Sequence, residues 1–219
     1  MNENKAREEI CRIGKSLFER GYVHATAGNI SIRLDNGFLI TPTDACLGFL
    51  EPAQLAHVGF NGVAQAGSRP SKTLALHRAI YAASARVDPA TRCVIHTHST
   101  HSVALSLRAS GPELLQPITP YFVMKVGHVP LIAYDRPGAP AVAEEVARTI
   151  ERYARESRPI RAVMLQRLGP NVWHDTPANA MAVLEELEET ARLAMRVPDA
   201  PPLEPSHIED LRAAFGARW

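Results

Sequence analysis

A short apolar run followed by two closely spaced histidines constrains the fold of this chain more than any other part of the sequence. Cys93, Val94 and Ile95 predict a buried strand, and His96 and His98 follow it two positions apart. Because alternate residues of a strand face the same side, we expect both imidazoles on one face of the sheet.

The residues after this pair indicate where it lies in the fold. Ser99 is placed to cap a helix over residues 102–107. The pair would then sit where a strand ends and a loop opens, which is where α/β folds keep ligands. Two neutral imidazoles on one face make half of a transition-metal site. The alternative is two histidines hydrogen-bonded within a core, and the paired spacing favours the metal.

The remaining pattern predicts one sheet that is covered by helices on both sides. Residues 29–34 and 38–41 form a predicted hairpin, and a second hairpin surrounds Asn61-Gly62. Helical spacing of apolar residues predicts an N-terminal helix and further helices that begin near residues 71, 140 and 177, with a short final helix to Phe215. Apolar runs predict additional strands at residues 129–134, 160–165 and 171–173.

The composition excludes several classes of protein. With 219 residues, of which 46% are hydrophobic, the chain is expected to form one domain over residues 1–219, with a proline-rich tail from residue 198. A formal net charge of +1 provides no field for nucleic acid or an anionic membrane. No apolar run reaches the length of a membrane span, and three cysteines argue against a disulfide framework. We therefore expect a soluble cytoplasmic protein with neither nucleic-acid nor membrane partners.

Three short polar clusters are suited to binding a phosphate. They contain Thr26, Gly28, Asn29, Thr43, Asp44, Ser71 and Lys72. Gly28 lets the backbone come close to a ligand, and Ser71 is predicted to start a helix whose free N–H groups attract an anion. Lys72 adds a positive charge at the same place. Each cluster alone is typical of an ordinary turn or cap, and the clusters gain weight from occurring together with the histidine pair.

In their order and separation these pieces resemble the class II aldolase/adducin family, which includes fuculose-phosphate aldolase and ribulose-phosphate 4-epimerase. The resemblance covers residues 5–195 and is carried by residues 26–31, residues 40–43, Pro70-Ser71, His77, and His96-Thr97-His98 with His101. Residues 70–72, 119–127 and 184–191 look more closely like the branch of 3-oxo-tetronate 4-phosphate decarboxylases.

Membership would imply a three-layer α/β/α sandwich with a central mixed, largely antiparallel sheet. It would also imply a divalent transition metal such as Zn²⁺, and a homotetramer with active sites between subunits. The family's phosphate contacts fall on the seven cluster residues named above, and two of its metal histidines fall on His96 and His98. Its tyrosine proton donor, which acts across a subunit boundary, falls on Tyr121.

Two positions depart from the family pattern. The acidic residue that acts as a base is Thr73 here, and the third metal histidine falls on Leu168. A threonine hydroxyl is a poor base at neutral pH, and leucine cannot bind a metal, whereas catalytic zinc normally takes three protein ligands. His128 is the predicted third ligand, and a loop histidine bonded to the backbone is the alternative interpretation of that residue. His24 has no matching context and is left unassigned.

The departures favour decarboxylation over aldol cleavage. An aldolase needs a positioned base, whereas a β-keto acid loses carbon dioxide directly and leaves an enediolate that a bound cation stabilises. We therefore predict a metal-dependent decarboxylase that converts 3-oxo-tetronate 4-phosphate into dihydroxyacetone phosphate. Tyr121, Lys72 and Thr73 are the predicted catalytic positions. The alternatives are a sugar-phosphate aldolase or epimerase, and a non-catalytic adducin-like scaffold.

Overall fold

The computed structural model describes residues 1–219 and builds them around one eight-stranded sheet. The strands are β1 (Asn29–Leu34), β2 (Gly37–Ile40), β3 (Ala56–Gly59), β4 (Ala64–Ala66), β5 (Cys93–His96), β6 (Leu131–Ile132), β7 (Ala162–Leu165) and β8 (Gly169–His174). Their order in the sheet is β4-β3-β2-β1-β5-β8-β7-β6. Every neighbouring pair is antiparallel except β6 and β7, which are parallel. The prediction of a mixed, largely antiparallel sheet is confirmed.

Helices cover both faces of this sheet. They are α1 (Glu3–Glu19), α2 (Leu74–Ser84), α3 (Thr100–Ser106), α4 (Pro140–Arg155), α5 (Pro177–Arg196) and α6 (Pro205–Phe215). Successive residues of β5 point to opposite faces, so Ile95 packs in the core formed with α1 and α5, whereas Val94 packs in the core formed with α2 and α4. The chain therefore forms the predicted three-layer α/β/α sandwich. No helix combines the length and the apolar character that a membrane crossing needs.

Local chemistry sets the helix boundaries. The Thr176 side chain accepts a hydrogen bond from a first-turn N–H of α5 at 3.1 Å, and Pro177 occupies the first helical position, as predicted. α2 begins at Leu74 and not at the predicted cap Ser71. The Ser71 hydroxyl lies instead 2.9 Å from the Thr73 hydroxyl, so this turn keeps its hydroxyl groups outside the helix.

Two regions differ from the sequence-based prediction. β6 has two residues and not six. Val129 and Pro130, which precede it, pair with the segment around Glu113, and the Pro130 carbonyl also accepts a hydrogen bond from the Met164 N–H of β7 at 2.9 Å. The passage before β6 contains a π-helix, Phe122–Val126, that no periodicity predicts. The C-terminal residues pack against this π-helix, with Trp219 against Phe122 at a ring distance of 5.7 Å.

Most of the loops that matter for function open at one end of the sheet. Asn29 at the start of β1 pairs with His96 at the end of β5, and His96 pairs in turn with Asn171 of β8. The ends of β6 and β7 lie at the same edge, because Ile132 pairs with Leu165. This edge therefore gathers the loop before β1, the end of β5, the turn between β7 and β8 and the loop before α4.

Candidate active site

A cavity of about 520 Å³ opens at this end of the sheet. Ten residues singled out in the sequence line it: Thr26, Gly28, Asn29, Thr43, Asp44, Ser71, Lys72, Thr73, His96 and His98. They come from the loop before β1, the loop after β2, the turn before α2 and the end of β5. The three polar clusters and the histidine pair, which are far apart in the sequence, thus share one cavity.

The two cavity histidines approach each other closely. Their ring centroids are 5.1 Å apart, with the ring planes at 67°. β5 ends at His96, so His98 lies beyond the strand, and the sequence-based argument from strand alternation was wrong in its detail. The turn out of β5 brings the second imidazole to the same cavity, which is the outcome that the spacing predicted.

Burial keeps this imidazole pair neutral. Burial, with a further contribution from the nearby His98, lowers the pKa of His96 to about 4, against a smaller opposing effect from the Pro170 carbonyl. Burial also lowers the pKa of His98, and His24 adds to that effect. Because the Pro170 carbonyl accepts a hydrogen bond from His96 Nδ1 at 2.9 Å, the lone pair of His96 resides on Nε2. A neutral imidazole with its tautomer set by a backbone carbonyl is the form that binds metals.

The loop before β1 lies unusually close to β5. A Cβ atom on Gly28 would stand 2.9 Å from the His96 carbonyl oxygen and 2.7 Å from a Val23 methyl group, and φ at Gly28 is +83°. Only glycine is therefore accommodated here without a shift of its neighbours. The adjacent Asn29 is buried, and its Oδ1 has no hydrogen-bond partner within the protein. An unpartnered buried amide oxygen beside a cavity is suited to a bound ligand.

Backbone hydrogen bonds join the second and third clusters. The Thr43 N–H donates to the Arg69 carbonyl at 3.0 Å, and the Ser71 N–H donates to the Thr41 carbonyl at 3.1 Å. Both hydroxyl groups are thereby placed on one side of the cavity. Lys72 is exposed beside them, and no carboxylate lies within ion-pairing distance of its ammonium group. This arrangement offers hydroxyl donors and a free positive charge to an anion.

The position expected for a base carries no strong base. The Thr73 side chain lines the cavity, and its hydroxyl contacts the Ser71 hydroxyl at 2.9 Å. The one carboxylate that lines the cavity belongs to Asp44, which lies at positive φ in the loop after β2. The cavity therefore combines two imidazoles with hydroxyl groups, and its carboxylate belongs to a different cluster from Thr73.

The prediction for His128 is wrong for this chain. Its Nδ1 lies 2.9 Å from a Glu113 carboxylate oxygen, and its ring stacks on Trp219 with centroids 4.2 Å apart. It does not line the cavity. The chain contains no group of three or more His, Cys, Asp or Glu side chains that converge to hold a metal. His128 instead joins a buried cluster that ties the residues before β6 to the C-terminus.

Tyr121 also lies outside the cavity. It is exposed immediately before the π-helix, in a separate surface depression with Tyr22, Lys125 and Glu186. Within one chain the tyrosine and the imidazole pair do not meet. The prediction that this hydroxyl acts in a neighbouring subunit's site stays a prediction.

His24 is a cavity neighbour that the sequence analysis left unassigned. Its ring centroid lies 6.3 Å from that of His98, with the planes at 74°. The residue is exposed, two positions before Thr26. That short separation from a polar cluster is the signal that would have identified it.

One whole wall of the cavity is not predicted by any sequence pattern. Apolar side chains from the turn between β7 and β8 and from the start of α4 line it, together with an exposed cation from the loop before α4: Leu165, Leu168, Val142, Ala143 and Arg136. Leu168 was expected only as the position where the family's third metal histidine is absent. The other contacts join segments more than 20 positions apart, and no local signal marks them.

The donor set of the cavity is compatible with a divalent transition metal. A metal–nitrogen distance of about 2.0–2.1 Å in tetrahedral geometry would place two ring centroids about 5 Å apart. The observed 5.1 Å separation of the His96 and His98 rings agrees with that value. Both rings are neutral at pH 7, so neither needs to lose a proton to bind. These two imidazoles are the residues that fit a metal.

Relatives of known name match this chain over most of its length. A 3-oxo-tetronate 4-phosphate decarboxylase from Cupriavidus necator is 52% identical, over 99% of this chain and 99% of the relative. A protein of the same name from Escherichia coli is 39% identical, over 91% of this chain and 90% of the relative. The agreement thus extends well beyond the motifs around the cavity.

Solved structures and a family model are also similar to this chain over most of its length. The crystal structure of YgbL from Klebsiella pneumoniae superposes with a TM-score of 0.87 at 39% identity, covering 97% of this chain and 100% of that one. L-fuculose-1-phosphate aldolase from Thermus thermophilus superposes with a TM-score of 0.71 at 26% identity, covering 90% and 98% of the two chains. The model of the class II aldolase and adducin N-terminal domain matches residues 8–195. The chain therefore belongs to the class II aldolase and adducin family.

Proposed function

We propose that this protein decarboxylates 3-oxo-tetronate 4-phosphate and forms dihydroxyacetone phosphate and carbon dioxide. One observation carries the proposal: a single cavity joins a phosphate-type donor cluster to a neutral imidazole pair, while the position of the family's base bears Thr73. The 52% identical relative from C. necator, which carries the name of this activity, supports it.

The polar clusters would bind the phosphate end of the substrate. Thr26, Thr43 and Ser71 supply hydroxyl donors, and the free ammonium of Lys72 supplies charge. Gly28 allows the backbone to approach the phosphate oxygens. Binding at this end would hold the 3-oxo group and the 2-hydroxyl group toward the imidazole pair.

His96 and His98 would hold the metal ion, for which we propose Zn²⁺. Members of the family typically depend on a divalent metal. When bound, such an ion supplies a Lewis acid that stabilises negative charge on the substrate oxygens. The chain's own contribution is to present two neutral imidazoles in one cavity, with the tautomer of His96 set by the Pro170 carbonyl.

Decarboxylation requires no base, and this agrees with Thr73. The bond between C1 and C2 breaks, its electron pair moves toward the C3 carbonyl, and carbon dioxide leaves. The enediolate then takes one proton at C2, which yields dihydroxyacetone phosphate. An aldolase or epimerase would need a group that removes a proton, and a hydroxyl is a poor choice for that role at neutral pH.

The proton donor in this proposal is Tyr121 of a neighbouring subunit in a homotetramer. Its exposure, with the side chain outside the cavity of its own chain, suits such a role. The cytoplasm is the proposed location, in keeping with three cysteines that are all unpaired.

A substrate comparison tests the proposal. Protein loaded with Zn²⁺ is supplied with 3-oxo-tetronate 4-phosphate or with fuculose 1-phosphate, and carbon dioxide and aldehyde release are measured separately. We expect rapid carbon dioxide release from the first compound and little aldehyde from the second. Comparable rates of the two reactions would favour an aldolase, and no turnover together with no bound metal would favour a non-catalytic scaffold.

A further inference from the structure

The cavity is polar at one side and apolar at the other, and the sheet sets this order. The hydroxyl-bearing loops adjoin β2 and β1, the imidazole pair adjoins β5, and the apolar turn adjoins β8 and β7. Neighbouring strands lie about 5 Å apart, so these three zones follow one another along the sheet edge. The phosphate donors, the imidazoles and the apolar wall thus form a line.

Hydrogen bonds hold the apolar turn in place. The Leu168 N–H donates to the Leu165 carbonyl at 3.0 Å, which closes the turn between β7 and β8. The preceding residue, Arg167, donates its N–H to the Ser106 hydroxyl of α3 at 3.0 Å. Arg167 itself is exposed, whereas Leu168 is partly buried and lines the cavity. The turn therefore directs its leucine inward.

A close backbone contact places that leucine beside the imidazoles. A Cβ atom on Gly169 would stand 1.9 Å from the Thr97 carbonyl oxygen and 3.2 Å from the His98 Cα atom. The chain that follows Leu168 is thus packed directly against the segment between His96 and His98. Substrate bound at the imidazole pair would have Leu168 as its immediate neighbour on this side.

The rest of this wall is also apolar. Leu165 is buried, and Val142 and Ala143 of α4 are partly buried where they line the cavity. None of these side chains can donate a hydrogen bond or carry a charge. Of the cations in these segments, Arg136 lines the cavity, and its side chain is exposed in the loop before α4.

We propose that Leu165, Leu168, Val142 and Ala143 form the subsite for the carboxyl group that leaves, and that this subsite promotes its departure. The inference rests on the proposed decarboxylase function and adds the location of the C1 carboxylate. In the substrate the phosphate, the two central oxygens and the carboxylate follow one another along the carbon chain. The three zones of the cavity follow in the same order.

The physical reason is the change of charge at C1. The carboxylate of the substrate is an anion, and an apolar surface solvates it poorly. As the C1–C2 bond breaks, its electrons move to the enediolate and C1 becomes neutral carbon dioxide, which an apolar surface accommodates. The wall therefore disfavours the reactant more than the transition state, which raises the rate of the chemical step.

Leu168→Asn tests this subsite, because asparagine has a similar size and can donate a hydrogen bond to the carboxylate. That bond should stabilise the reactant, so we expect kcat to fall by about 10–100-fold while KM is unchanged or lower. Leu168→Met, which stays apolar, should turn over at least about ten times faster than Leu168→Asn. Leu107→Asn, an exposed leucine outside the cavity, serves as the control for the substitution type.

Binding measurements separate the subsite from a fold defect. Tetronate 4-phosphate keeps the carboxylate and lacks the 3-oxo group, so it binds without reacting. We expect Leu168→Asn to bind it about 3–10-fold more tightly and to bind dihydroxyacetone phosphate, which has no carboxylate, as the wild type does. A misfolded variant would lose affinity for both compounds, and the kinetic test would then be repeated with Val142→Asn.

Two results would overturn the subsite. One is unchanged kcat and unchanged tetronate 4-phosphate affinity in well-folded Leu168→Asn. The other is a selective loss of tetronate 4-phosphate affinity in Arg136→Gln, which would assign the carboxylate to that guanidinium. Absence of carbon dioxide release by the wild type would instead refute the decarboxylase function itself, and the subsite with it.

Discussion

At the scale of single residues, the site is prepared for its ligand before any ligand binds. His96 is buried and donates Nδ1–H to a backbone carbonyl, so its Nε2 lone pair is set by the fold. Gly28 brings the loop before β1 against the carbonyl of His96 itself, at the end of β5. Preorganised groups of this kind need little rearrangement on binding, which favours both affinity and rate.

Lys72 is the residue whose charge we expect to matter most for substrate binding. Its ammonium has no carboxylate partner, and a lysine in this position near a helix N-terminus is mildly unfavourable unless an anion binds there. Lys72→Met should raise KM for the phosphorylated substrate by about 10–100-fold, as expected for one charge-assisted hydrogen bond. Steady-state kinetics measure this effect, with exposed Lys15→Met as the control. An unchanged KM would assign Lys72 to the solvated surface.

His77 should make the stability of the fold depend on pH. It is fully buried, and burial, with a further contribution from His96, lowers its pKa to about 3. The unfolded chain has a histidine pKa near 6.5 and binds a proton that the folded chain excludes. Stability should therefore be complete above pH 6.5 and decrease as the pH falls from 6.5 toward 3, by about 2 kcal/mol at pH 5 from this residue.

Urea denaturation at pH 7 and pH 5 measures this dependence. His77→Asn should lose less stability between the two pH values than the wild type, whatever its stability at pH 7. His207→Asn, at an exposed position, should behave like the wild type. Equal losses in wild type and His77→Asn would show that the buried ring does not couple folding to pH.

Predictions for single residues were correct where the chemistry of the side chain and the order of the motifs along the chain pointed to the same site. The hydroxyl clusters and the histidine pair lie in one cavity. Their order along the chain matches that of the family, and proteins of one family share the spatial arrangement of such motifs. The prediction for His128 failed because a histidine immediately before a predicted strand carries no information about which partner its ring contacts. Glu113 and Trp219, which hold it, come from opposite directions along the chain.

At the scale of elements, the strongest patterns were the most reliable. Residues 140–155 form α4 as predicted, and the hairpin turn before Gly37 joins β1 to β2. The π-helix Phe122–Val126 was not predictable, since no side-chain periodicity marks five residues of that geometry. The apolar wall of the cavity was also not predictable from the sequence, because only tertiary packing brings β7, β8 and α4 together there.

The C-terminal residues should stabilise the π-helix. Trp219 packs between Phe122 and His128, and Arg212 hydrogen-bonds to the Trp219 carbonyl oxygen. Trp219→Ala should lower the free energy of unfolding by about 1–3 kcal/mol, because it removes a large, partly buried ring. Phe215→Ala, a 66% exposed aromatic of α6, should change it by less than about 0.5 kcal/mol. If chemical denaturation gave the same small change in the free energy of unfolding for Trp219→Ala as for Phe215→Ala, the Trp219 ring would contribute no stabilising packing.

At the scale of the whole molecule, we expect the complete site to need more than one chain. The cavity holds the imidazole pair and the phosphate donors, and Tyr121 faces outward elsewhere. An assembly in which one subunit's tyrosine reaches its neighbour's cavity would unite them. We expect a particle of four times the 24.0 kDa chain mass.

Mixed assemblies test this arrangement. Tyr121→Phe and His96→Asn should each be nearly inactive as pure oligomers. When the two chains are co-expressed with different affinity tags, random mixing should restore about a quarter of the wild-type sites, because some sites then combine an intact tyrosine with an intact histidine. Carbon dioxide release by doubly tagged particles measures the recovery. No recovery in stable mixed particles would place both groups in the same chain's site.

Metal removal provides the most direct test of the account. The measurement is release of labelled carbon dioxide from 3-oxo-tetronate 4-phosphate carrying carbon-13 at C1, before and after exhaustive chelation, with metal content determined on the same samples. We expect the rate to fall by at least about 100-fold with the loss of metal and to return when Zn²⁺ is added. Full turnover by protein free of metal would contradict the account.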